Sequence, residues 1–316
     1  MSDLHKFLFE GLPVRGMLVR LTGSWKDVLR RRAASGAWPP AVQNMLGEMA
    51  AAATLMQANL KFDGALILQV QGDGPVKLAV AEAQADLRFR VTAKVQGDVA
   101  PQASFGDLVN QRGGGRCAIT LDPQDRESGQ QPYQGIVPLE TPDGATVGDV
   151  AAMLEQYMRQ SEQLETRIVL ASDGGSACGL LIQRLPIEGA GNLAGAAQAG
   201  IDDDAFNRIA LLAGTLKADE LLTLDTPTIL HRLFWEEPLR LFDPQHPAFA
   251  CSCSPERVRN MLRNLGREES ESILRERGDI EIGCDFCGAQ YRFDAVDVGE
   301  MFAPPTSQPG AAPNVH

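Results

Sequence analysis

WPPAVQNMLGEMAAAATLMQANLKFDGALILQV, residues 38–70, decides the fold. Two prolines stand near its start, and Val42, Met45, Leu46, Met49, Ala53, Met56 and Leu60 follow at three-and-four spacing. That spacing predicts a long amphipathic helix with proline in its first turn, where a missing backbone N–H costs nothing. From Leu66 the period becomes two, so Leu66, Leu68 and Val70 share one face of a strand. The turn Gly72-Asp73-Gly74-Pro75 leads to strand-like runs at 76–81 and 87–95. Such short connections imply an antiparallel meander, with the helix covering it.

Further strand signals lie at 117–121, 133–139, 166–171 and 179–185, with a helix near 147–161. The expected class is α+β: an N-terminal core of antiparallel sheet covered by helices, a helical linker region and a small C-terminal module. The expected boundaries are 1–190 for the core, 191–247 for the linker, 248–302 for the C-terminal domain, whose cysteines are read below, and 303–316 for a disordered tail. The Gly- and Ala-rich stretch 188–200 marks the first boundary, and the Pro-, Ser- and Ala-rich end marks the last.

Past residue 200, Asp202, Asp203 and Asp204 offer an N-cap to a helix carrying Phe206, Ile209, Leu212, Ala213 and Leu216. Leu221, Leu222, Leu224, Ile229, Leu230, Leu233, Phe234 and Trp235 continue the apolar series around Pro227. So much apolar surface in a short helical region needs a partner to cover it. A permanent helical layer and a detachable cover both satisfy that need. If the cover detaches, Phe206, Ile209, Leu212, Leu216, Leu233 and Phe234 are the residues it would offer to bind another protein.

The six cysteines divide unevenly. Cys117 and Cys178 stand alone and read as small buried hydrophobes. The other four form FACSCSPER, with Cys251 and Cys253, and EIGCDFCGAQ, with Cys284 and Cys287, separated by 284 − 253 − 1 = 30 residues. Two thiol pairs far apart in sequence are the pattern of a closed tetrahedral zinc site, and Gly288 can adopt the left-handed backbone that turns amides toward the sulfurs. Iron–sulfur motifs use other spacings. His231 and His246 lie upstream, with no sign of the open coordination position that a catalytic zinc keeps. The expected cofactor is one Zn2+ per chain, structural or regulatory, and no enzymatic activity is expected.

A structural zinc contributes about 10 to 16 kcal/mol of apparent binding energy, comparable with a whole domain's stability. An oxidant that turns the four thiolates into two disulfides removes every ligand at once. Near-neighbour pairing, Cys251 with Cys253 and Cys284 with Cys287, is the simplest outcome. The small ring between Cys251 and Cys253 would be strained and readily reduced again.

The formal net charge of −12 opposes non-specific contact with a phosphate backbone. The arginine run Arg257, Arg259, Arg263 and Arg267 is followed at once by Glu268, Glu269 and Glu271, and reads as a solvated helix face. Neither a signal-peptide apolar region nor a membrane-length apolar run is present, so a cytoplasmic location is expected. Gly113-Gly114-Gly115 lacks the following lysine that a nucleotide-phosphate loop needs.

CSCSPER, the long gap and CDFCGAQYRF resemble the zinc centre of the redox-regulated chaperones of the 33 kDa chaperonin family. HKFLFEGLPVRG, LKFDG, QGDGP, KVQGD, YQGIVPLE and MRQSEQLETRI resemble that family's core, and DELLTL, HRLFWEE and FDPQ its linker. The resemblance implies an ATP-independent holdase, inactive when reduced and zinc-bound, that binds unfolding proteins once oxidation expels the metal and destabilises the linker. It implies zinc ligation by Cys251, Cys253, Cys284 and Cys287. The expected partners are unfolding client proteins and, when oxidised, a second copy of the chain, with neither nucleic acid nor membrane. Extra residues around 112–116 and the tail after Met301 depart from the family pattern without touching the cysteines.

Two other classes use similar motifs. A thioredoxin-type oxidoreductase would place Cys-x-x-Cys at the start of a helix after a buried strand and would not need Cys251 or Cys253. A zinc-ribbon nucleic-acid binder would carry positive charge, whereas residues 251–301 hold seven Arg against eleven Asp plus Glu.

Overall fold

The computed structural model describes residues 2–125, 131–141, 143–186 and 204–303. The stretch 188–200, Asp202, Asp203 and the tail from residue 304 lie outside the described residues. In chain order the elements begin β1 (Asp3–Phe9), β2 (Val14–Leu21), α1 (Gly23–Ala33), α2 (Pro40–Asn59), β3 (Gly64–Gln71), β4 (Val76–Gln84), β5 (Arg88–Val95), α3 (Phe105–Val109), β6 (Arg116–Pro123) and β7 (Tyr133–Pro138). They continue with α4 (Val150–Gln160), β8 (Thr166–Ser172), β9 (Ala177–Arg184), α5 (Ala205–Gly214), α6 (Ala218–Thr223), α7 (Thr226–Phe234), β10 (Leu239–Leu241) and β11 (Ala248–Phe249). The last are α8 (Pro255–Leu265), α9 (Arg267–Arg277), β12 (Ile280–Gly283), β13 (Gln290–Phe293) and α10 (Ala295–Met301). The class is α+β, and the chain divides into two compact units, 1–250 and 251–316.

In the first unit α2 is the centre. It touches β2, β8 and β9 of a sheet ordered β10-β1-β2-β9-β8, and β3, β4 and β5 of a second sheet ordered β11-β5-β4-β3-β6-β7. The apolar stripe predicts one covered face, but the helix is enclosed on nearly every side. Ala50, Ala51, Ala52 and Ala53 are all at most 1% exposed. Alanine is small enough to let a second sheet approach the face that a longer side chain would hold off. Leu66, Leu68 and Val70 of β3 pair across the sheet with Ala83, Ala81 and Ala79 of β4, so large residues oppose small ones beneath the helix.

The second sheet is antiparallel apart from the β11–β5 pair, and β6 returns to lie beside β3. The first sheet contains β1 and β2, which the periodicity of the N-terminus does not announce. His5 and Lys6 interrupt the apolar alternation of β1, although Leu4, Phe7 and Phe9 are buried.

Helices α5, α6 and α7 lie on the other face of this first sheet. Ile209, Leu216, Leu233 and Phe234 are buried there, with Phe206 and Leu212 half-buried, in one cluster with Phe7, Phe9, Val14, Leu18, Cys178, Leu180 and Ile182. Phe234 meets Phe9 edge-on, with ring centroids 5.0 Å apart at 85°. Asp204 occupies the N-cap position of α5, yet its side chain makes no capping bond to a first-turn amide; it accepts instead from Asn207 Nδ2 at 2.9 Å. The segment then runs through β10, which pairs with β1, and β11, which pairs with β5.

In the second unit α8, α9, the β12–β13 hairpin and α10 enclose Val258, Leu262, Ile280, Phe293, Val298 and Met301. The arginines of the run, Arg257, Arg259, Arg263 and Arg267, are exposed as expected, and they also make contacts within the unit. Arg257 Nη1 donates to Ser252 O at 2.9 Å, Arg259 lies 5.8 Å from the Phe293 ring centroid, and Arg267 lies 5.9 Å from that of Phe302. Among the described residues of the chain, no helix is long and apolar enough to cross a membrane.

The tight seat of α2 yields a prediction of sign. Replacing glycine by alanine inside a helix ordinarily stabilises by about 1 kcal/mol. At Gly47, however, an added Cβ would fall 1.9 Å from Ser172 Oγ and 2.7 Å from Ser172 Cβ. Gly47→Ala should therefore destabilise the first unit, by roughly 1–3 kcal/mol in urea unfolding. A gain in stability would show that β8 yields freely to the helix.

Candidate metal centre

Two local structures deliver the four sulfurs. Directly after Cys253, Ser254 caps α8, its Oγ accepting from Arg257 N at 3.1 Å, and Pro255 supplies a helical φ in the first turn. The helix start fixes where the irregular Cys251-Ser252-Cys253 segment must end. Cys284 and Cys287 sit at the tip of the β12–β13 hairpin, where Cys284 N donates to Ala289 O at 2.9 Å and Gly288 N donates to Cys284 O at 2.8 Å. Gly288 has φ +73°, the left-handed conformation anticipated for it.

The result gathers Cys251, Cys253, Cys284 and Cys287, with all four sulfurs within 4.8 Å of one another. Two close separations run between the motifs: Cys251 Sγ to Cys284 Sγ is 3.6 Å and Cys253 Sγ to Cys287 Sγ is 3.3 Å. All four are free thiols. A single tetrahedral ion bound at about 2.3 Å requires sulfur–sulfur edges of about 3.8 Å, which this arrangement approaches. A cluster placing a separate iron beneath each thiolate would need its sulfurs further apart. The donor set therefore fits one four-coordinate ion.

The site's electrostatics agree with that fit. Burial pushes the Cys251 thiol up, and the neighbouring thiols of Cys253 and Cys284 add to the shift. Burial and the same crowding push Cys287 up, against a hydrogen bond from the Ala289 amide. Burial also opposes ionisation of Cys253, but hydrogen bonds from Tyr291 and the other thiols outweigh it and bring Cys253 down to about 7. In exchange, Tyr291 is pushed up, first by its bond to Cys253. One thiolate is favoured by these groups; four in one place need a cation among them.

Amides of Cys253 and Ala289 donate to the sulfurs of Cys251 and Cys287 respectively, so backbone dipoles supplement the ligand set. Tyr291 was not legible as a site residue, because an aromatic in a short strand reads first as core; its position four residues after Cys287 is the only hint. Among the described residues no histidine joins the group. Cys117 and Cys178 are fully buried elsewhere, and burial pushes their thiols to about 12 and about 11, leaving both protonated and inert at neutral pH.

Comparison with known proteins bears on the whole chain. The family described as Hsp33 protein matches residues 2–294. A 33 kDa chaperonin of Chromobacterium violaceum is 48% identical over 301 residues, covering 95% of this chain and 94% of that protein. One from Methylobacillus flagellatus is 45% identical over 310 residues, covering 98% and 97%. The crystal structure of the 33 kDa chaperonin from Thermotoga maritima superposes with a TM-score of 0.73 at 20% identity, over 95% of this chain and 98% of that one, a likeness of fold. On the strength of the match along residues 2–294 and these identities, the chain belongs to the Hsp33 family of chaperones.

Proposed function

We propose that this chaperone is a redox-regulated, ATP-independent holdase, held inactive by zinc on Cys251, Cys253, Cys284 and Cys287 and activated when those cysteines are oxidised. The observation that carries this reading is the gathering of four sulfurs within 4.8 Å in a unit whose apolar core comprises six buried side chains. So small a core needs a covalent or metal staple. Bound zinc supplies four metal–thiolate bonds that tie the α8 start to the hairpin tip.

Oxidation acts on the chain's own groups. Each pair of thiols loses two electrons and two protons to peroxide or hypochlorite and forms one S–S bond, so two disulfides consume all four ligands. We assign the pairs as Cys251 with Cys253 and Cys284 with Cys287. The reduced arrangement brings sulfurs of the two motifs together, but once ligation is lost the neighbours in sequence stay near one another while contacts spanning 33 residues open. The second unit then loses its fold.

The unit begins directly after β11, and β11 follows the helical cover in the chain. Loss of order at Cys251 leaves β10 and β11, strands of three and two residues, as the hold on that end of the cover. Lifting α5, α6 and α7 would present Phe206, Ile209, Leu212, Leu216, Leu233 and Phe234 together with the face of Phe7, Phe9, Leu18 and Leu180 to unfolding clients. Two oxidised chains would meet through the same apolar surfaces as a homodimer. The protein would work in the cytoplasm, where reducing conditions keep the switch closed, by binding rather than by catalysis, and without nucleic acid.

Against an oxidoreductase stands the hairpin setting of Cys284 and Cys287, which open no helix. Against a nucleic-acid binder stands the acidic balance of 251–301.

The test follows light scattering from a thermally unfolding client, with zinc release recorded in parallel. Reduced protein should carry one zinc and leave aggregation unchanged; protein treated with peroxide or hypochlorite under mild heat should release the zinc and suppress aggregation. Mass mapping of the oxidised sample should find the two near-neighbour disulfides. Equal suppression in both states would remove the switch, and none in either would remove the chaperone. Disulfides linking Cys251 to Cys284 would overturn the pairing.

A further inference from the structure

The helical cover rests on its sheet through apolar contacts, with one concentrated polar exception. Arg20, on β2, lies between cross-strand neighbours Asp3 of β1 and Cys178 of β9. Its guanidinium reaches out of the sheet to the cover. Nη1 donates to Leu221 O at 2.9 Å and to Leu224 O, and Nη2 donates to Leu222 O at 3.2 Å. No carboxylate forms an ion pair with Arg20 among the described residues.

The three acceptors belong to the end of α6, a helix of six residues. The last carbonyls of a helix have no partner within it and must be satisfied from outside. Arginine suits this role because its planar fork presents several donors in fixed directions and remains charged at every accessible pH. Leu224 leads straight into Asp225, whose carboxylate caps α7 by accepting from Thr228 N at 2.8 Å. Arg20 therefore grips the corner from which both helices run. Buried Leu221 precedes that corner, and Ile229, Leu230, Leu233 and Phe234 follow it. Arg232 ties the two helices together by an ion pair to Glu220 at 2.9 Å, so the pair is braced to move as one.

We propose that Arg20 is a positioning residue whose guanidinium latches the α6–α7 corner onto β2 and thereby sets how readily the cover lifts from the sheet. Its importance for activation rests on the reading that the cover detaches; the latch itself does not. The bonds span more than 200 residues of sequence and exist only with the cover closed. Their loss acts on the closed state, because an open corner exposes the three carbonyls to water whether or not Arg20 is present.

Hydrogen exchange on the reduced, metal-loaded full-length protein tests this with Arg20→Met and Arg20→Lys. In Arg20→Met, amides of 217–234 should exchange about tenfold faster, while those of α2 keep their protection. Lysine, which retains charge and donors without the fork, should restore part of that protection. Unchanged exchange at 217–234, or an equal rise in α2, would overturn the latch, as would methionine and lysine behaving alike. The same samples in the aggregation assay separate the two claims. Reduced Arg20→Met should suppress aggregation at a lower temperature than wild type. Faster local exchange, with no suppression by this variant or by oxidised wild type, would leave the latch standing and count against the chaperone reading.

Discussion

Four cysteine sulfurs lie within 4.8 Å of one another, and ionised together they would repel; that constraint is the one on which the second unit's proposed metal dependence rests. The surrounding dipoles favour ionisation at Cys253 while burial resists it at Cys251 and Cys287, so the protein alone does not hold four negative charges there. In the proposed function a cation completes the set. The unit's shape follows from this need: a helix cap ends one cysteine pair, a glycine-bearing hairpin tip presents the other, and the apolar core between them is small. In the proposed function this dependence is the switch, since a fold resting on ligands is lost when the ligands pair with one another.

The first unit rests on a different principle. Its central helix is enclosed between two sheets, with Val42, Leu46, Met49 and Leu55 buried as well as the alanines and glycine that let the second sheet approach. Close packing of this kind involves no metal ligand, which in the proposed function suits a platform that persists while the other unit unfolds. On the face of the first sheet away from α2, the same strands carry Phe7, Phe9, Leu18 and Leu180 under helices α5 to α7. One sheet thus serves a permanent interior on one side and a covered apolar surface on the other. The polar grip of Arg20 on the α6–α7 corner marks the point where that cover is held.

Much of this was legible in the chain because the signals were local. The three-and-four spacing from Val42, the alternation at Leu66, Leu68 and Val70, and the Cys-x-Cys and Cys-x-x-Cys pairs each report on residues near one another in sequence. What escaped depends on distant partners. Nothing in Ala50 to Ala53 tells whether the neighbour is water or a second sheet, since alanine suits both. The charged and polar residues within β1 hid a strand whose pairing with β2 and β10 supplies its backbone bonds. Tyr291 and Arg20 take their roles from a sulfur and from carbonyls that only the folded chain brings near.

The central claim is that the second unit owes its fold to the ion held by Cys251, Cys253, Cys284 and Cys287. Amide NMR spectra of the reduced protein, recorded as a strong zinc chelator is added and then as zinc is restored, address it most directly. The account predicts that signals from 251–301 collapse to unfolded shifts on chelation and return with zinc, while those of α2 stay in place. Dispersed signals from 251–301 in the fully chelated, reduced protein would contradict it.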